Sequence, residues 1–497
     1  MEPRFITLTN GRLSAPVQRP RRTYRPDPAL CALTRDWPMT GTGMPAGYTY
    51  LGQFLAHELV TGKDEDDSPI PRTPRLNLET LYGRDPESTF AGDTVDADGA
   101  FILGWTLAED GSTPVSPRDL PRGANRRPRI PEPRNDENLI VAQLHSLFMR
   151  FHNWTLTRLR AHPDCHKVNT ARLFKLARLH VISTLHHIVI KDFLASVSDP
   201  QVYNRIFRGY AEYIHFRDDD PLPPEFTAAA FRFGHAMVRE NYVINFEDIA
   251  CSTPRRLNMS EIFAMTGRGG LRRDPAQAQP GGAGIAETHA IDWHFFYAQP
   301  GDGSGVNLST LFRIPLPGQR LQMHPNDSFR IDPAVIPIMG NLPNEQRDHS
   351  LILRNLNAGE EQALVSGQTL AAQLLERLGL PDTGNPLGLS SSLPLRQDHD
   401  LALKTRLLAD AGFLDDTPLW LFVLVEASER HYGLCLGPLG SLIVCESFRA
   451  AIGRQIRCLD LAARQELAFL RAVLRPFSSM AELVNHIQGA PYEHPAY

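Results

Sequence analysis

Two polar side chains and one carboxylate interrupt an apolar helical stretch, YLGQFLAHELVTG at residues 50–62. Gln53 and His57 are four residues apart, so they are neighbours on one face of a helix. Glu58 falls in the middle of the apolar stripe, where a buried carboxylate without a partner is costly. This pattern raises the question of what Gln53 and His57 act on, and of what stabilises Glu58.

Three further segments place polar groups beside apolar helices. In EPRNDENL, Arg134 and Glu137 lie three apart at the start of a helix. In FRFGHAM, Gly234 precedes His235, and the missing side chain allows something flat to approach closely. LRNLNAGEEQALVSGQ is a polar turn before a helix. Together the four segments suit the binding of a large prosthetic group.

Common catalytic and metal-binding signatures are missing from the chain. HExxH, GxSxG, a phosphate-binding loop and paired Cys/His ligands do not occur. The histidines at 145, 152, 186 and 187 are predicted to be structural residues of helices. The six cysteines are scattered and form no CxxC, so we expect reduced, mostly buried thiols.

Composition and charge are those of an ordinary globular protein. The 497 residues carry a net charge of −5, which gives no bulk attraction to nucleic acid or to an anionic membrane. No apolar run is long enough for a membrane span, and the N-terminus lacks a signal-peptide core. We expect a cytoplasmic protein by default, a prediction that leaves signal-independent secretion open. The oligomeric state is not predicted.

Hydrophobic periodicity predicts a mainly α protein with long irregular loops and very little β structure. We predict an irregular N-terminal arm at 1–45, a single large helical domain at 46–480, and a C-terminal tail at 481–497. Ser366 is predicted to cap the helix that follows it. Helices are predicted near 46–60, from 137, 168–196, 200–214, from 223 through 241, 367–380, 399–412, 418–430, 441–453 and 460–473.

In order and wording, these segments resemble the animal-type haem peroxidases of the peroxidase–cyclooxygenase superfamily, especially the bacterial members. GQFLAHEL resembles the distal-histidine helix, TPRLNLETLYG the calcium loop, and RNDENLIVAQLHSLFMRFHNW the arginine–glutamate helix. AFRFGHAMV resembles the proximal-histidine helix, and RNLNAGEEQALVSGQ the segment with its partner asparagine. The resemblance covers about residues 46–450 and implies a helical haem peroxidase domain that binds haem b.

On the proximal side, the resemblance implies that His235 is the iron ligand, as a neutral imidazole. Its other ring N–H would bond to Asn355, a neutral amide that leaves the imidazole little imidazolate character. Arg232 would pair with a haem propionate.

On the distal side, His57 would accept a proton from H2O2 and return it to the departing oxygen. Arg134 would stabilise the charge that develops as the O–O bond breaks, and Gln53 would order water or a small anion. The product would be a ferryl haem that oxidises a small-molecule reductant or halide.

The chain departs from the mammalian members at the positions that link haem covalently. Ala56 stands where one ester-forming carboxylate is usual, so it forms no link. Glu137 matches the other carboxylate, which either forms one ester or only a hydrogen bond. Asn138 replaces the methionine of the sulfonium link. Fewer such links leave a less oxidising haem, so we expect bromide, iodide, thiocyanate or an aromatic donor rather than chloride.

The calcium ligands implied by the resemblance also change. Glu58 replaces an aspartate, and its longer side chain alters the reach of the carboxylate. Either these oxygen atoms bind calcium, or Glu58 pairs with a cation such as Arg72 or Arg75. The predicted ligands are Glu58, Thr73, Arg75, Asn77 and Glu79.

The leading prediction is a haem-dependent peroxidase that uses H2O2. One alternative is a haem-dependent oxygenase or tailoring enzyme on the same fold. Cyclooxygenases and fatty-acid dioxygenases place a radical-forming tyrosine three residues before the proximal histidine, where this chain has Arg232, which disfavours that alternative. The other alternative is a haem-binding sensor without turnover.

Overall fold

The structure is a computed structural model that describes residues 5–38, 42–63, 69–86, 94–108, 110–123, 127–248, 253–266, 284–297, 326–340, 342 and 350–488. The Gly-, Pro- and Arg-rich stretch at 266–285 lies almost wholly outside the described residues.

Helices make up most of the described chain, as predicted. The long ones follow the predicted segments closely, because their apolar residues recur at three- and four-residue intervals. The α-helices are α1 Pro28–Asp36, α2 Gly47–Leu59, α3 Glu79–Tyr82, α4 Leu139–Ala161, α5 Thr170–Ile188, α6 Leu194–Val197, α7 Pro200–Tyr203, α8 Pro224–Thr227, α9 Met259–Ala264, α10 Leu351–Glu361, α11 Gly367–Leu378, α12 Leu401–Asp410, α13 Leu419–His431, α14 Pro438–Arg457, α15 Leu461–Val473 and α16 Met480–Ile487.

Shorter helical turns connect these helices. Two π-helical turns continue α5 and α7, at Val189–Phe193 and Asn204–Arg208. The 3₁₀ segments are Pro133–Asp136, Pro163–Cys165, Ala230–Met237, Glu287–His289, Trp293–Phe295 and Pro337–Gly340.

Strands in the described part of the chain form four two-stranded sheets. β1 pairs in parallel with β5, and the other three pairs, β2–β8, β3–β4 and β6–β7, are antiparallel. The strands are β1 Ile6–Thr7, β2 Thr42–Pro45, β3 Gly62–Lys63, β4 Pro69–Ile70, β5 Ile214–His215, β6 Asn241–Asp248, β7 Thr253–Asn258 and β8 Asp327–Phe329.

The prediction of one continuous helix from 223 through 241 is wrong. The chain forms the single turn of α8, breaks at Ala229 (φ −136°, ψ −75°), and resumes as the 3₁₀ segment Ala230–Met237. The helix predicted at 200–214 also ends early, at Arg208 before Gly209. The apolar periodicity is present in both places, but the backbone follows tertiary packing instead.

The N-terminal arm and the C-terminal tail contain helices that were not predicted. In the arm, Asp27 caps α1 by accepting from the backbone N–H of Ala29, and Pro28 occupies the first helical position. At the other end, α16 extends past residue 480 to Ile487. The arm is therefore not wholly irregular, and the chain continues as a helix into the predicted tail.

The core brings α2 against α4 and against the 3₁₀ segment Ala230–Met237. Phe54 of α2 stacks on Phe148 of α4 with ring centroids 5.0 Å apart. From α13, the indole N–H of Trp420 donates to the carbonyl of Arg232 at 3.4 Å. These contacts set the segment carrying His57 against the segment carrying His235.

One helical run among the described residues, Thr170–Val197, is long and apolar enough to cross a membrane by length and composition. Its apolar window is 72% buried inside the fold, which is what the core helix of a globular protein shows. The five cysteines in the described part of the chain are free thiols, as predicted. Only Cys165 and Cys445 are buried, so the prediction of mostly buried thiols is wrong.

Ser366 caps α11 as predicted, since its side chain accepts from the backbone N–H of Thr369. Replacing it with alanine (Ser366→Ala) leaves that donor without its partner. We expect a loss of about 0.5–2 kcal/mol in the free energy of unfolding, measured by urea denaturation. Glu376→Ala, at an exposed position of the same helix, is the control and should change stability by less than about 0.5 kcal/mol. Equal stability of the two variants would contradict the capping role.

Candidate functional site

The distal cluster gathers three of the predicted residues on one side of α2. His57 is buried, and its Nε2 lies 3.7 Å from Oε2 of Glu137. Gln53 donates from Nε2 to the same oxygen at 3.4 Å. The predicted pair on α2 therefore shares a carboxylate that enters from the start of α4.

The orientation of Gln53 is set by Asn138. The side-chain oxygen of Asn138 caps α4 by accepting from the N–H of Val141 at 3.0 Å. Its amide nitrogen is thereby directed to Oε1 of Gln53, at 3.1 Å. Gln53 must then present its own amide nitrogen to Glu137. In the sequence, Asn138 was notable only for replacing the methionine of the sulfonium link. In the structure it caps α4 and orients the side-chain amide of Gln53.

Arg134 forms hydrogen bonds to the backbone at the C-terminal end of α2. Its Nη2 donates to the carbonyls of His57 at 2.8 Å and Val60 at 3.0 Å, and its Nε donates to Glu132 at 2.9 Å. A Cβ at residue 62 would lie 2.2 Å from Cζ of Arg134, so only glycine fits there. Arg134 lies next to the distal cluster, and its contacts here are with the backbone of α2. Its predicted role, stabilising the charge that develops as the O–O bond of H2O2 breaks, stays a prediction.

Glu132 and Arg72 add to these contacts; Glu132 was not predicted, and Arg72 was predicted only as a partner of Glu58. Arg72 donates from Nε to the carbonyl of His57 at 3.0 Å and forms an ion pair with Glu132. Burial would raise the pKa of Glu132, but Arg134 and Arg72 outweigh it and bring that pKa to about 2. Two guanidinium groups thus share one ionised carboxylate beneath the distal helix. The order Glu-Pro-Arg just before a helix was the only available signal.

The proximal segment is the 3₁₀ stretch Ala230–Met237, and it holds His235 against Asn355 of α10. Nδ1 of His235 lies 3.0 Å from Nδ2 of Asn355, so the predicted partners are in contact. The amide nitrogen donates to Nδ1, whereas the prediction had the ring N–H of His235 as the donor. Burial and the nearby positive charge of Arg232 lower the pKa of His235 to about 3. The imidazole is therefore neutral, as an iron ligand must be.

The orientation of the Asn355 amide differs from the expectation. Nη1 of Arg232 donates to the amide oxygen of Asn355 at 3.3 Å, and its Nε donates to the carbonyl of Thr227 at 3.2 Å. Since arginine has only donors, it takes the oxygen and turns the amide nitrogen towards His235. Arg232 thus orients Asn355, whereas its predicted pairing with a propionate stays a prediction.

Gly234 provides a test of whether a flat group fits beside His235. A Cβ built on Gly234 would have no described atom within 4 Å. The backbone next to the neutral imidazole therefore faces open space, unlike Gly47 or Gly62, where a Cβ would collide with a side chain. The open backbone fits a flat group such as haem beside His235. Iron binding through Nε2 requires Nδ1 to carry the ring proton, whereas the amide nitrogen that faces Nδ1 here is itself a donor.

The predicted calcium residues are brought together, and the carboxylates of Glu58 and Glu79 face hydrogen-bond donors, whereas the buried side-chain oxygen of Asn77 has no hydrogen-bond partner among the described residues. Oε1 of Glu58 accepts from the backbone N–H groups of Asn77 at 3.2 Å and Glu79 at 2.9 Å, and Oε2 accepts from that of Thr80 at 2.9 Å. Glu79 in turn accepts from the hydroxyl of Thr73 at 2.7 Å. Calcium takes six to eight oxygen ligands, so this arrangement does not fit it.

The alternative pairing of Glu58 with Arg72 or Arg75 is also not what the structure shows. Arg72 pairs with Glu132, and no contact joins Arg75 to Glu58 within the described ranges. The positive charge of Arg178, on α5, acts on both Glu58 and Glu79. Burial raises the pKa of Glu58 to about 7, against the opposing effect of its N–H donors. Across the described part of the chain, no group of three or more His, Cys, Asp or Glu residues could hold a metal ion.

The histidines predicted to be structural include two with clear hydrogen-bonded roles. His152 lies 2.9 Å from the hydroxyl of Tyr82 and 3.1 Å from the carbonyl of Gly99. His186 lies 2.7 Å from the carbonyl of Leu76, and so holds the loop that carries Asn77. These two predictions are confirmed.

Part of the chain matches a known protein family. Residues 73–278 match the family described as animal haem peroxidase. The chain is 29% identical over 215 residues to the dual oxidase of Drosophila melanogaster, and 29% identical over 182 residues to the thyroid peroxidase of Rattus norvegicus. These matches cover 38% and 33% of this chain but only 13% and 19% of those proteins.

Solved structures share the fold over nearly the whole chain. Peroxidase A of Dictyostelium discoideum matches with a TM-score of 0.61 at 16% identity, over 97% of this chain and 93% of its own. A fatty acid alpha-dioxygenase of Oryza sativa matches with a TM-score of 0.56 at 12% identity, over 93% of this chain and 79% of its own. At these identities the likeness shows the fold alone.

Because backbone N–H groups occupy both oxygen atoms of Glu58, we expect the protein to be stable without calcium. The thermal unfolding midpoint should shift by less than about 2 °C between EDTA and added CaCl2, since a ligand stabilises only where it binds the folded state. Metal analysis of the purified protein should find calcium well below one ion per chain. One calcium per chain, together with a midpoint that falls on chelation, would contradict this arrangement.

Proposed function

We propose that the chain, whose residues 73–278 match the animal haem peroxidase family, is a haem-dependent peroxidase that reduces H2O2 and oxidises a small donor. The observation that carries the proposal is the pairing of two histidine sites on contacting segments. His235 is neutral beside the open backbone of Gly234, and His57 lies in a cluster of polar groups on α2. The proximal histidine suits iron binding, and the distal one suits proton transfer.

The proximal residues would bind the cofactor. Nε2 of His235 would hold the iron of haem b, which requires Nδ1 to carry the ring proton and Asn355 to turn its side-chain oxygen to it. When bound, haem supplies the iron at which a peroxide O–O bond is broken and the oxidising equivalents kept for the donor. The side-chain oxygen of Asn355 accepts from Nη1 of Arg232 at 3.3 Å in the structure, and its second lone pair would take the N–H of His235.

The distal residues would move the proton. His57 would take a proton from H2O2 at one ring nitrogen and return it to the oxygen that leaves as water. Gln53, one turn earlier on α2, would hold water or a small anion next to His57. Arg134 would add positive charge to this region from the end of α2, where it balances the developing negative charge.

The donor we propose is a small aromatic compound, bromide, iodide or thiocyanate. Ala56 offers no carboxylate and Asn138 no sulfur for links to haem, and Asn138 is instead engaged with Gln53 and Val141. Fewer electron-withdrawing links leave a cofactor with less oxidising power, which argues against chloride.

An oxygenase on the same fold is the second candidate, because fatty acid alpha-dioxygenases share the architecture. Arg232 argues against it, because it occupies the position three residues before His235 where dioxygenases have a tyrosine, and its guanidinium is engaged with Asn355. Incubating the haem-loaded protein with a fatty acid and O2, and separately with an aromatic donor and H2O2, distinguishes the two by their products.

His57→Ala is expected to slow the reaction with H2O2 by about 10²–10⁴-fold, the usual contribution of a general base. Haem binding should be unchanged, because the iron ligand is on the other side. Stopped-flow absorbance after mixing with H2O2 measures the rate, and the haem absorption band measures binding. His399→Ala, which removes a histidine whose side chain is 89% exposed, is the control. A rate in His57→Ala equal to that of the control would refute the role of His57.

Glu137 decides whether haem is covalently attached. In the structure its carboxylate faces Gln53 and His57, so we expect haem to be released by denaturation in acid and extraction with organic solvent. Mass spectrometry of the extracted chain checks the result, with Glu137→Gln as the matched variant that cannot form an ester. Haem retained by the natural chain but released from Glu137→Gln would instead demonstrate one ester link.

A further inference from the structure

Asn135 contacts the distal histidine from the side opposite to Glu137. It lies in the 3₁₀ turn Pro133–Asp136 and is fully buried. Its side-chain oxygen is 2.7 Å from Nδ1 of His57, and its side-chain nitrogen is 2.9 Å from Nδ1 of His145. One amide thus bridges two histidines, one on α2 and one on α4.

The turn that carries Asn135 is rigidly anchored on both sides. Glu132 accepts from the backbone N–H of Arg134 at 3.0 Å, and its own carbonyl accepts from the N–H of Asn135 at 3.0 Å. The next residue, Asp136, accepts one hydrogen bond from each terminal nitrogen of Arg122, at 2.8 Å each. This bidentate pair is buried, so it fixes the turn with little freedom. Asn135 therefore presents its amide to His57 from a preorganised position.

The chemistry of the bridge assigns the protons. An amide oxygen only accepts hydrogen bonds, so Nδ1 of His57 donates to Asn135. A neutral imidazole carries one N–H, so the lone pair of His57 is then on Nε2. His145 can accept from the amide nitrogen because burial lowers its pKa to about 3 and keeps it neutral.

We propose that Asn135 is a positioning residue that holds His57 in the tautomer protonated at Nδ1, so that Nε2 presents its lone pair as a base. This proposal rests on the proposed peroxidase function. Without Asn135, the carboxylate of Glu137, 3.7 Å from Nε2, would favour the tautomer protonated at Nε2, which has no lone pair to offer on that side. Asn135 itself need not touch the peroxide, because it acts through the ring of His57.

The tautomer of His57 can be read directly from the haem-loaded protein. Chains labelled with ¹⁵N-histidine, reduced and saturated with carbon monoxide so that the iron is diamagnetic, give separate NMR shifts for protonated and bare ring nitrogens. The signal that disappears in His57→Gln identifies His57. We expect a protonated Nδ1 and a bare Nε2 in the natural chain. A protonated Nε2 would overturn the proposal, and this measurement needs no variant of Asn135.

Two substitutions then separate positioning from general packing. Asn135→Ala should give mixed tautomers and slow the reaction with H2O2 by about tenfold or more, with haem absorption unchanged. Asn135→Asp keeps an acceptor for Nδ1–H and should restore the single tautomer and much of the rate. The control is Asn153→Ala, on α4, which also removes an amide with two hydrogen bonds, here to the backbone of Phe101. Natural tautomer and rate in Asn135→Ala would overturn the proposal.

Failure of the proposed function can be told apart from failure of this proposal. A natural chain that binds haem but does not react with H2O2 refutes the peroxidase. The NMR spectrum of that same sample still decides whether Asn135 sets the tautomer of His57.

Discussion

The distal side depends on the hydrogen bonds that the backbone carbonyl oxygen of His57 accepts. The last carbonyls of a helix have no partner within the helix, and a buried one must find donors elsewhere. Here Arg72 and Arg134 both donate to it, and Glu132 neutralises part of their charge. Because these groups are buried, the interaction is little screened by salt. The backbone of His57 is therefore held by the same residues that end its helix.

The two faces of α2 are stabilised in different ways. On one, Gln53 and His57 contact polar side chains from the start of α4. On the other, Glu58 accepts three backbone N–H groups from the loop and the first turn of α3. The second set links α2 to a loop that α5 also holds, through His186. The carboxylate of Glu58, bound by backbone N–H groups, thus links α2 to this loop. The resemblance had suggested a calcium ion in that role.

Much of this architecture could be predicted from the sequence, and the misses have physical causes. Long amphipathic helices such as α4 and α14 were clear, because burial of one face follows directly from periodicity. The proximal segment was misjudged, because a 3₁₀ stretch and an α-helix share the same apolar spacing over so few residues. Gln53, His57, His235 and Asn355 were identified through resemblance and then found in contact with polar partners. Glu132 and Asn135 were missed because they have partners distant in the chain, at Arg72 and His57, and no local pattern reveals such pairs.

The backbone contacts of Glu58 also bear on how the protein acquires its cofactor. Ordering a loop costs conformational entropy of about 1–2 kcal/mol per residue, whenever that ordering occurs. In this chain the segment from Thr73 to Thr80 is ordered by contacts made entirely within the polypeptide. The entropy of ordering it is then lost during folding and not during haem capture. A distal side that is already ordered leaves more of the binding free energy to appear as affinity for the cofactor.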